Sequence, residues 1–417
     1  MNIQINEQTL LQELQTLATI TNAEPSPEGT AVTRIVFSPD DLHARTWLKD
    51  LATAEDFTIR EDAVGNTFIR WPGTDPTLPA VATGSHTDAI PHAGMYDGTV
   101  GVLGGLEALR ALKRSGLTPR RSIELIMFTS EEPTRFGIGC LGSRLLSGTL
   151  DPARADTLTD KDESTLAQVR TVAGFTGPLA SVRLPKNHYH AWLELHIEQG
   201  PLLEREGIPI GIVTNIAAPA SYRFTITGLG GHAGALLMPN RRDALCAAAE
   251  LILSIERHAL ATYAIDTVAT VGTCDVHPGA VNSVPSRVTL QLDIRDTDPT
   301  RRESVMQAVR RDMEDLRNRR QVTITEDLIN ADAPAQSSEH IIEVLEDTCK
   351  TANIPYKKMV SRAYHDSLFM ARIAPIAMVF IPCRNGVSHR PDEYASPADI
   401  VRGTHVLALA LAKLASE

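Results

Sequence analysis

From Pro79 onward, apolar segments of strand length alternate with a helical segment, and every strand ends in polar residues. AVATGSH, RSIELIMFTSEE and HAWLELHIEQG have the apolar content of buried strands. Residues 101–116 repeat apolar side chains at helical spacing and stop at a glycine. This βαβ order predicts an α/β fold with a doubly wound, mostly parallel sheet. Open sheets of this kind bind ligands at the carboxyl ends of their strands, which is where the polar residues fall.

A second pattern interrupts the first between residues 214 and 329. SYRFTITG, IDTVATVGTCDV, SRVTLQLDIRD and QVTITEDL alternate as half-buried strands, and two long amphipathic helices lie among them. The order β-α-β-β-α-β predicts a small split-βαβ domain with helices on one face of its sheet. A chain of 417 residues exceeds what one hydrophobic core usually sustains. We therefore expect residues 1–213 and 330–417 to form one domain, into which residues 214–329 are inserted.

Composition excludes several classes of partner. The formal net charge is −11 and no run of Lys and Arg occurs, so we expect no nucleic-acid partner. The longest apolar runs have the length of strands, and residues 1–20 read as an amphipathic helix without a basic leader, so we expect no membrane segment. Five scattered cysteines, never spaced as CxxC, indicate reduced thiols and a cytoplasmic location.

Two polar residues end the first strand, and a third lies at the entrance of the next helix. Alternation along a strand places His86 and Asp88 on one face, so the Asp88 carboxylate could hold the second nitrogen of the imidazole. Asp97, in MYDGTVG, could bridge two metal ions. Taken singly, a His-x-Asp pair is more often structural, and an Asp before Gly is most often a turn or a helix cap.

Four further candidates follow the other strands. Glu131 and Glu132 are consecutive, so one can bind a metal ion while its neighbour stays free as a base. His196 and His389 each follow an apolar strand. A Glu-Glu pair alone is usually a surface charge, but all these residues fall at the same edge of the predicted sheet. Three histidines with several carboxylates suit zinc, manganese, cobalt or nickel better than magnesium or calcium.

Four segments resemble a known family: GSHTDAIPHAGMYDGTVGVLGGLEAL, FTSEEPTRFGIGCLGSR, ELHIEQGPLLE and GHAGALLMPNRRDA. They resemble the amidohydrolase branch of the co-catalytic metallopeptidase superfamily. That branch includes N-carbamoyl-L-amino-acid hydrolases, allantoate amidohydrolases and ureidoglycolate amidohydrolases. The peptidase branch has a carboxylate at the position of His196, so this histidine favours the amidohydrolases. The resemblance covers nearly the whole chain.

The resemblance implies two divalent metal ions per subunit, with manganese as the first expectation and zinc, cobalt or nickel as alternatives. Carried over by position, the ligands are His86, Asp97 and His196 for one ion, and Asp97, Glu132 and His389 for the other. Glu131 is then the general base, and Asp88 joins it in the catalytic set. The inserted domain is expected to be the lid and dimerisation domain of a homodimer.

The resemblance also assigns substrate contacts to Gln199, His232, Asn282 and Arg295. The last three are expected to reach the metal site from the partner subunit. Arg295 offers a planar fork that suits a carboxylate. The alternative for Arg295 is an ordinary charge on a surface strand, and the alternative for Asn282 is a turn residue.

Two departures from the common pattern of the branch bear on the substrate. HAGALLMPNRRDA replaces a HAGTxPM-like run, and Tyr364 precedes His365 where relatives commonly have Gly-His-Asp. Both departures resemble the ureidoglycolate amidohydrolases, so Tyr364 and His365 join the expected substrate contacts, although Tyr364 could equally be a core residue.

The resemblance implies hydrolysis of the ureido group of (S)-ureidoglycolate, a small ureido carboxylate, to glyoxylate, ammonia and carbon dioxide in purine (allantoin) catabolism. One alternative is an amidohydrolase that acts on allantoate or an N-carbamoyl amino acid. A metallopeptidase is a second alternative, which His196 disfavours. A catalytically inactive relative that serves as a binding or scaffold protein is the third.

Overall fold

A computed structural model describes residues 3–417 of the chain. Its strands are β1 (Val32–Arg34), β2 (Thr58–Glu61), β3 (Thr67–Trp71), β4 (Val81–His86), β5 (Ala89–Ala93), β6 (Ile123–Phe128), β7 (Ala191–Ile197), β8 (Ile210–Ile216), β9 (Ala218–Thr227), β10 (Gly231–His232), β11 (Val268–His277), β12 (Ser283–Val284), β13 (Arg287–Asp296), β14 (Thr323–Ala331), β15 (Ala335–Gln336), β16 (Tyr356–Ser361) and β17 (Ile376–Ile381). Its α-helices are α1 (Glu7–Thr19), α2 (Pro39–Thr53), α3 (Thr99–Arg114), α4 (Leu141–Ser147), α5 (Pro152–Asp156), α6 (Leu166–Val172), α7 (Leu202–Glu206), α8 (Ala244–Leu260), α9 (Pro299–Arg320), α10 (Glu339–Thr351), α11 (Asp366–Met370) and α12 (Pro397–Ser416). Short 3-10 turns occur at Leu179–Val182, Met238–Asn240 and Arg384–Gly386.

The larger sheet has the order β15-β8-β17-β7-β4-β6-β3-β2, and β16 also pairs with β8. Its four central strands, β17, β7, β4 and β6, run parallel. Antiparallel strands flank them, with β3 and β2 on one side and β8 on the other. The predicted α/β class is confirmed, but the sheet is mixed rather than mostly parallel. The four parallel strands are buried along their whole length, because helices cover both faces of such strands.

Contacts divide the chain into two compact units, which we call unit 1 and unit 2. Unit 1 comprises residues 1–214, 336–361 and 365–417, and unit 2 comprises residues 215–335 and 362–364. The sequence placed the two boundaries at 213/214 and 329/330, close to the contact boundaries at 214/215 and 335/336. The short return to unit 2 at residues 362–364 was not anticipated, because three residues leave no periodic pattern to detect.

Unit 2 contains the expected order of strands and helices. β9, α8, β11, β13, α9 and β14 occur in this order, with the two-residue strands β10 and β12 between them, and the sheet has the antiparallel order β11-β13-β9-β14. Every second residue of β13 is buried, and the buried side chains pack with those of α8 and α9 in one apolar cluster. β11 is an edge strand and is mostly exposed. The alternation seen in the sequence therefore reports the one-sided burial of this sheet.

The sequence predicted no membrane segment and reduced cysteines, and the structure bears on both. Within residues 3–417 no helix is long and apolar enough to cross a membrane. All five cysteines are free thiols, and three of them are buried.

A buried arginine fixes the segment that leads to the carboxyl end of β4. Arg34 has no exposed surface, and its guanidinium donates hydrogen bonds to the carbonyl oxygens of Leu17, Ile20 and Thr87. Burial lowers the pKa of Arg34 to about 10, so the side chain is still charged at neutral pH. It thus ties the end of α1 to the residue between His86 and Asp88.

Replacing Arg34 by Met should lower the free energy of unfolding by at least about 2 kcal/mol, since each buried carbonyl left without a donor costs about 1–3 kcal/mol. The carbonyls of Ile20 and Thr87 lose the guanidinium, whereas the Leu17 carbonyl still accepts from the Ile20 N–H. Thermal unfolding followed by circular dichroism would measure the change as a lower melting temperature. Arg257→Met is a matched control, because the Arg257 side chain is 62% exposed and its ion pair in the described part of the chain is with Asp312 at the surface. Equal melting temperatures for the two variants would contradict the prediction.

Candidate metal centre

The four central strands bring the predicted ligands to one edge of the larger sheet. His86 is the last residue of β4, and His196 is the last but one of β7. Glu131 and Glu132 follow β6, and His389 lies in the segment between β17 and α12. These strands are parallel neighbours, so their carboxyl ends meet at the same edge.

One group of possible ligand atoms contains His86, Asp97 and His196, and all three side chains are buried. Asp97 Oδ1 lies 3.7 Å from His86 Nε2 and 3.2 Å from His196 Nε2. The backbone must pass very close to His86 at this point, because a Cβ atom on Gly98 would lie 2.4 Å from His86 Nε2. Only glycine at position 98 lets Asp97 approach both histidines.

A second group contains Asp97, Glu132 and His389. His389 Nε2 lies 3.1 Å from Asp97 Oδ2 and 3.3 Å from Glu132 Oε1. The two oxygens of Asp97 therefore face different groups, which is the arrangement of a bridging carboxylate. His389 is the most exposed member, with 47% of its side chain accessible, and its φ of 60° is a strained conformation of the kind found at functional sites.

Backbone carbonyls set the orientation of two of the imidazoles. His86 Nδ1 lies 3.0 Å from the carbonyl oxygen of Asp88, and His196 Nδ1 lies 2.9 Å from that of Ile197. A carbonyl oxygen accepts only, so each Nδ1 carries the proton and each Nε2 presents a lone pair toward Asp97. Neutral imidazoles in this tautomer are suited to bind a metal ion.

The Asp88 carboxylate does not make the contact expected from strand alternation. Asp88 Oδ1 is 3.8 Å from His86 Nδ1, outside hydrogen-bond distance, and the Asp88 backbone holds the imidazole instead. Its two carboxylate oxygens accept hydrogen bonds from the backbone N–H groups of Glu131 and Glu132, at 3.2 and 3.0 Å. The Asp88 side chain thus fixes the acidic pair, since the turn after β4 directs it toward β6.

Glu131 lies beside these two groups without belonging to either. Its Oε2 is 3.8 Å from His86 Nε2, and the Cys140 thiol donates to its Oε1 at 3.4 Å. Burial raises the pKa of Glu131 well above its usual range; His86 acts in the opposite direction, and the nearby Glu132 raises the pKa further. A buried base with a raised pKa is suited to hold a proton during a reaction.

The donor set fits divalent metal ions. Within residues 3–417, every ion pair of Asp97, Glu131 and Glu132 is with a histidine, so several acidic groups share a buried region with imidazoles. Burial and then the Asp97 carboxylate raise the pKa of Glu132 to about 7. Cations placed among these oxygens and Nε2 atoms would remove that repulsion, and mixed imidazole and carboxylate ligands suit zinc, manganese, cobalt or nickel.

The structure places Gln199 and His365 beside these groups as well. Gln199 Nε2 donates to Asp97 Oδ2 at 2.8 Å and to Ser388 Oγ at 3.2 Å, so its amide contacts a proposed ligand. The His365 ring packs on that of His196, with 4.5 Å between the centroids, and its Nε2 lies 3.0 Å from Ser361 Oγ.

The remaining predicted substrate contacts belong to unit 2, where they form two separate pairs. His232 and Asn282 are exposed neighbours, because β10 pairs with β12 and the Ala233 N–H donates to the Asn282 carbonyl. Arg295 lies near the other end of β13, where it forms a bidentate ion pair with Asp293 and its guanidinium is 5.6 Å from the Tyr364 ring.

The length of β13 separates these pairs. Arg287 and Arg295 are eight residues apart on one unbroken strand, which is roughly 26 Å at 3.3 Å per residue. His232 and Asn282 lie beyond the Arg287 end, since β12 immediately precedes β13. One small molecule therefore cannot contact both pairs within a single chain. The expectation that all three residues reach one site from the same partner subunit stays a prediction, and this separation does not favour it.

Sequence reasoning missed three buried acidic residues around the ligands. Glu194 accepts hydrogen bonds from the hydroxyl groups of Ser85 and Ser367, and Glu393 accepts from the backbone of Asp97. Burial raises the pKa of Asp366 to about 8, with a further contribution from Glu194. The only sequence signal for Glu194 is an acidic residue inside an apolar strand, and a single Glu in a loop gives no signal for Glu393.

Comparison with known proteins identifies the family. The model of peptidase family M20/M25/M40 matches residues 82–413. The chain belongs to this family. Relatives that match most of the chain are named as a ureidoglycolate hydrolase, an N-carbamoyl-L-amino acid amidohydrolase and an allantoate amidohydrolase, so the predicted resemblance is confirmed.

Three relatives and two crystal structures show which members are similar. A ureidoglycolate hydrolase from Arabidopsis thaliana is 50% identical over 99% of this chain and 87% of its own length. One from Oryza sativa subsp. japonica is 51% identical over 98% of this chain and 85% of its own. Allantoate amidohydrolase from Escherichia coli is 31% identical over 96% and 97%. Structures of AtUAH in complex with glyoxylate and with (S)-hydroxyglycine each align with a TM-score of 0.89 at 48% identity, covering 100% of this chain and 99% of theirs.

Proposed function

We propose that the protein hydrolyses the ureido group of (S)-ureidoglycolate to glyoxylate, ammonia and carbon dioxide. The observation that supports the chemistry is the pair of ligand groups that share Asp97, with the free carboxylate of Glu131 beside them. The choice of substrate is inferred from the relatives. Two of them, named ureidoglycolate hydrolases, share about half of the sequence over nearly the whole chain. Allantoate amidohydrolase is a more distant relative.

Each of the two groups would hold one divalent ion. The first ion would be bound by His86, Asp97 and His196, and the second by Asp97, Glu132 and His389. Two such ions, when bound there, would polarise the scissile carbonyl and lower the pKa of a water molecule. We propose manganese for the native ion and the cytoplasm as the location; the five free thiols are consistent with a reducing compartment.

Glu131 is the proposed proton carrier. Its carboxylate takes a proton from the attacking water and delivers it to the terminal nitrogen of the ureido group, which leaves as ammonia. The carbamate that remains loses carbon dioxide to give hydroxyglycine, and loss of its amine as ammonia gives glyoxylate. Asp88 supports the transfer by holding the backbone of Glu131 and Glu132 through both of its carboxylate oxygens.

The substrate contacts are proposed to come from two chains of a homodimer. Arg295 and Tyr364 contact each other, so they would act on the same part of the substrate, the carboxylate and the neighbouring hydroxyl. His232 and Asn282 would act on another part, with Gln199 and His365 beside the ions. Because β13 separates the two pairs by roughly 26 Å in one chain, a complete site needs one pair from each of two chains.

Unit 2 has a surface suited to such a dimer. β11 is an edge strand whose outer backbone groups have no strand beside them in the sheet. Leu253 and Leu260 of α8 are 60% and 71% exposed, on the side of the helix away from its buried alanines. Exposed edge strands pair readily with a second copy, and exposed apolar side chains favour burial in an interface.

Ammonia release from a panel of substrates tests the proposed activity. The chelator-treated protein, reloaded with manganese, zinc, cobalt or nickel, should show kcat/KM for (S)-ureidoglycolate at least about tenfold above that for allantoate or an N-carbamoyl-L-amino acid, because a site built for one polar substrate rejects analogues strongly. A dipeptide serves as the control for peptidase activity. Preference for another ureido compound would overturn the proposed substrate. Turnover of none of the compounds would favour the alternative that the protein is a catalytically inactive relative with a binding role.

A further inference from the structure

We propose that Glu393 is a positioning residue that joins the two ligand-bearing segments of the second ion, residues 95–97 and 388–389. The inference rests on the proposed function, because it concerns the ion bound by Asp97, Glu132 and His389. If this is so, loss of the Glu393 side chain lowers the affinity for the second ion more than the affinity for the first.

The Glu393 carboxylate contacts both segments directly. Its Oε1 accepts hydrogen bonds from the backbone N–H groups of Tyr96, at 2.9 Å, and Asp97, at 3.1 Å. Its Oε2 accepts from Ser388 Oγ at 2.8 Å. Ser388 precedes His389 and lies 3.1 Å from Asp97 Oδ2, so one carboxylate connects the backbone of the bridging Asp97 to the segment that carries His389.

The surroundings of Glu393 are shaped for this side chain. Only 4% of its surface is exposed, although Glu is rarely buried unless its oxygens are paired. Gly94 lies against it, and a Cβ at position 94 would lie 2.4 Å from the Glu393 Cβ and 2.5 Å from its Oε1. A larger residue at position 94 would displace the carboxylate from the amides of the 95–97 segment. Burial, paired oxygens and the space left by Gly94 all favour one fixed position.

The two ions should depend on Glu393 to different degrees. His86 and His196 lie on β4 and β7 in the centre of the sheet, and backbone carbonyls fix their rings. His389 lies outside the regular elements, at a φ of 60°. Without Glu393, the His389 segment loses its connection to the backbone of residues 96 and 97 and keeps only side-chain contacts with Asp97. The two strand histidines keep the carbonyls that hold their rings.

Titration of Mn²⁺ into the chelator-treated full-length protein, followed by the EPR signal of free Mn²⁺, measures both sites. In Glu393→Ala the weaker of the two affinities should fall at least about tenfold while the other stays within about threefold, since changes to groups behind a ligand typically cost 10–100-fold. Glu393→Gln should restore the second site, because its amide oxygen can accept from the backbone and its NH₂ can donate to Ser388. Glu393→Asp, one methylene shorter, should behave like alanine and serves if the alanine variant does not fold.

Asp392→Asn is the control on the same segment, because the Asp392 side chain pairs with Arg390 and not with a ligand segment. It should bind two Mn²⁺ as the wild type does. Two Mn²⁺ at wild-type affinity in the folded Ala or Asp variant would overturn the inference, and so would an equal loss of both. If the wild-type protein bound fewer than two Mn²⁺, the proposed two-ion centre itself would be wrong. A failure of the proposed function is therefore seen in the wild type, and a failure of the Glu393 inference only in the variants.

Discussion

Glu131→Gln should lower kcat by about 10²–10⁴-fold, the usual contribution of a general acid–base residue, while the protein still binds its metal ions. Glutamine has nearly the same size as glutamate, but its amide cannot accept the proton of the attacking water. Glu131 lies outside both ligand groups, so the ligands of both ions remain in place. Single-turnover ammonia release would give the rate, and metal analysis of the purified variant would give the stoichiometry.

Glu132→Gln is a matched control, since the two residues are adjacent and the Asp88 carboxylate holds both of their amides. Glu132 belongs to the second ligand group, so this variant should lose affinity for one ion. The two variants thus separate proton transfer from metal binding. Wild-type kcat in Glu131→Gln, or loss of an ion from it, would show that Glu131 does not act as the base.

The sequence predicted those parts of the fold that leave a local pattern. Apolar runs that end in polar residues located β4, β6 and β7, and alternation located the strands of unit 2. The antiparallel flanks of the larger sheet were not predicted, because the pairing of β3 with β6 depends on residues distant in the chain. The same reason explains the missed return of residues 362–364 to unit 2.

The sequence predicted the ligands of the candidate site but not all of the residues that hold them in place. His86 and His196 could be grouped because they lie at the ends of strands that meet at one edge, and the resemblance assigned them to one ion together with Asp97. The role of the Asp88 side chain could not be predicted, because the turn after His86 decides which group it contacts. Glu393 resembles a surface charge in the sequence, and only its tertiary contacts show that it is buried.

Mixing two inactive variants should restore activity if the site is shared between chains. His232→Ala should lose about 10²–10³-fold in kcat, the usual cost of removing a donor that stabilises a developing negative charge. A dimer of one His232→Ala chain and one Glu131→Gln chain contains one site that has both intact residues, if His232 comes from the partner. Random pairing makes half of the dimers mixed, so about one quarter of the wild-type activity should return after subunit exchange.

The same experiment with Arg295→Ala in place of His232→Ala should restore nothing. Arg295 lies against the Tyr364 ring, and the proposed division of the site assigns this pair to the opposite chain from His232. If Arg295 serves the metal centre of its own chain, every site in the mixed dimer lacks either Arg295 or Glu131. Recovery with Arg295→Ala but not with His232→Ala would reverse the assignment, whereas recovery with both would contradict the separation that β13 imposes. No recovery in either mixture, with subunit exchange verified by native mass spectrometry, would mean that each chain works with its own residues alone.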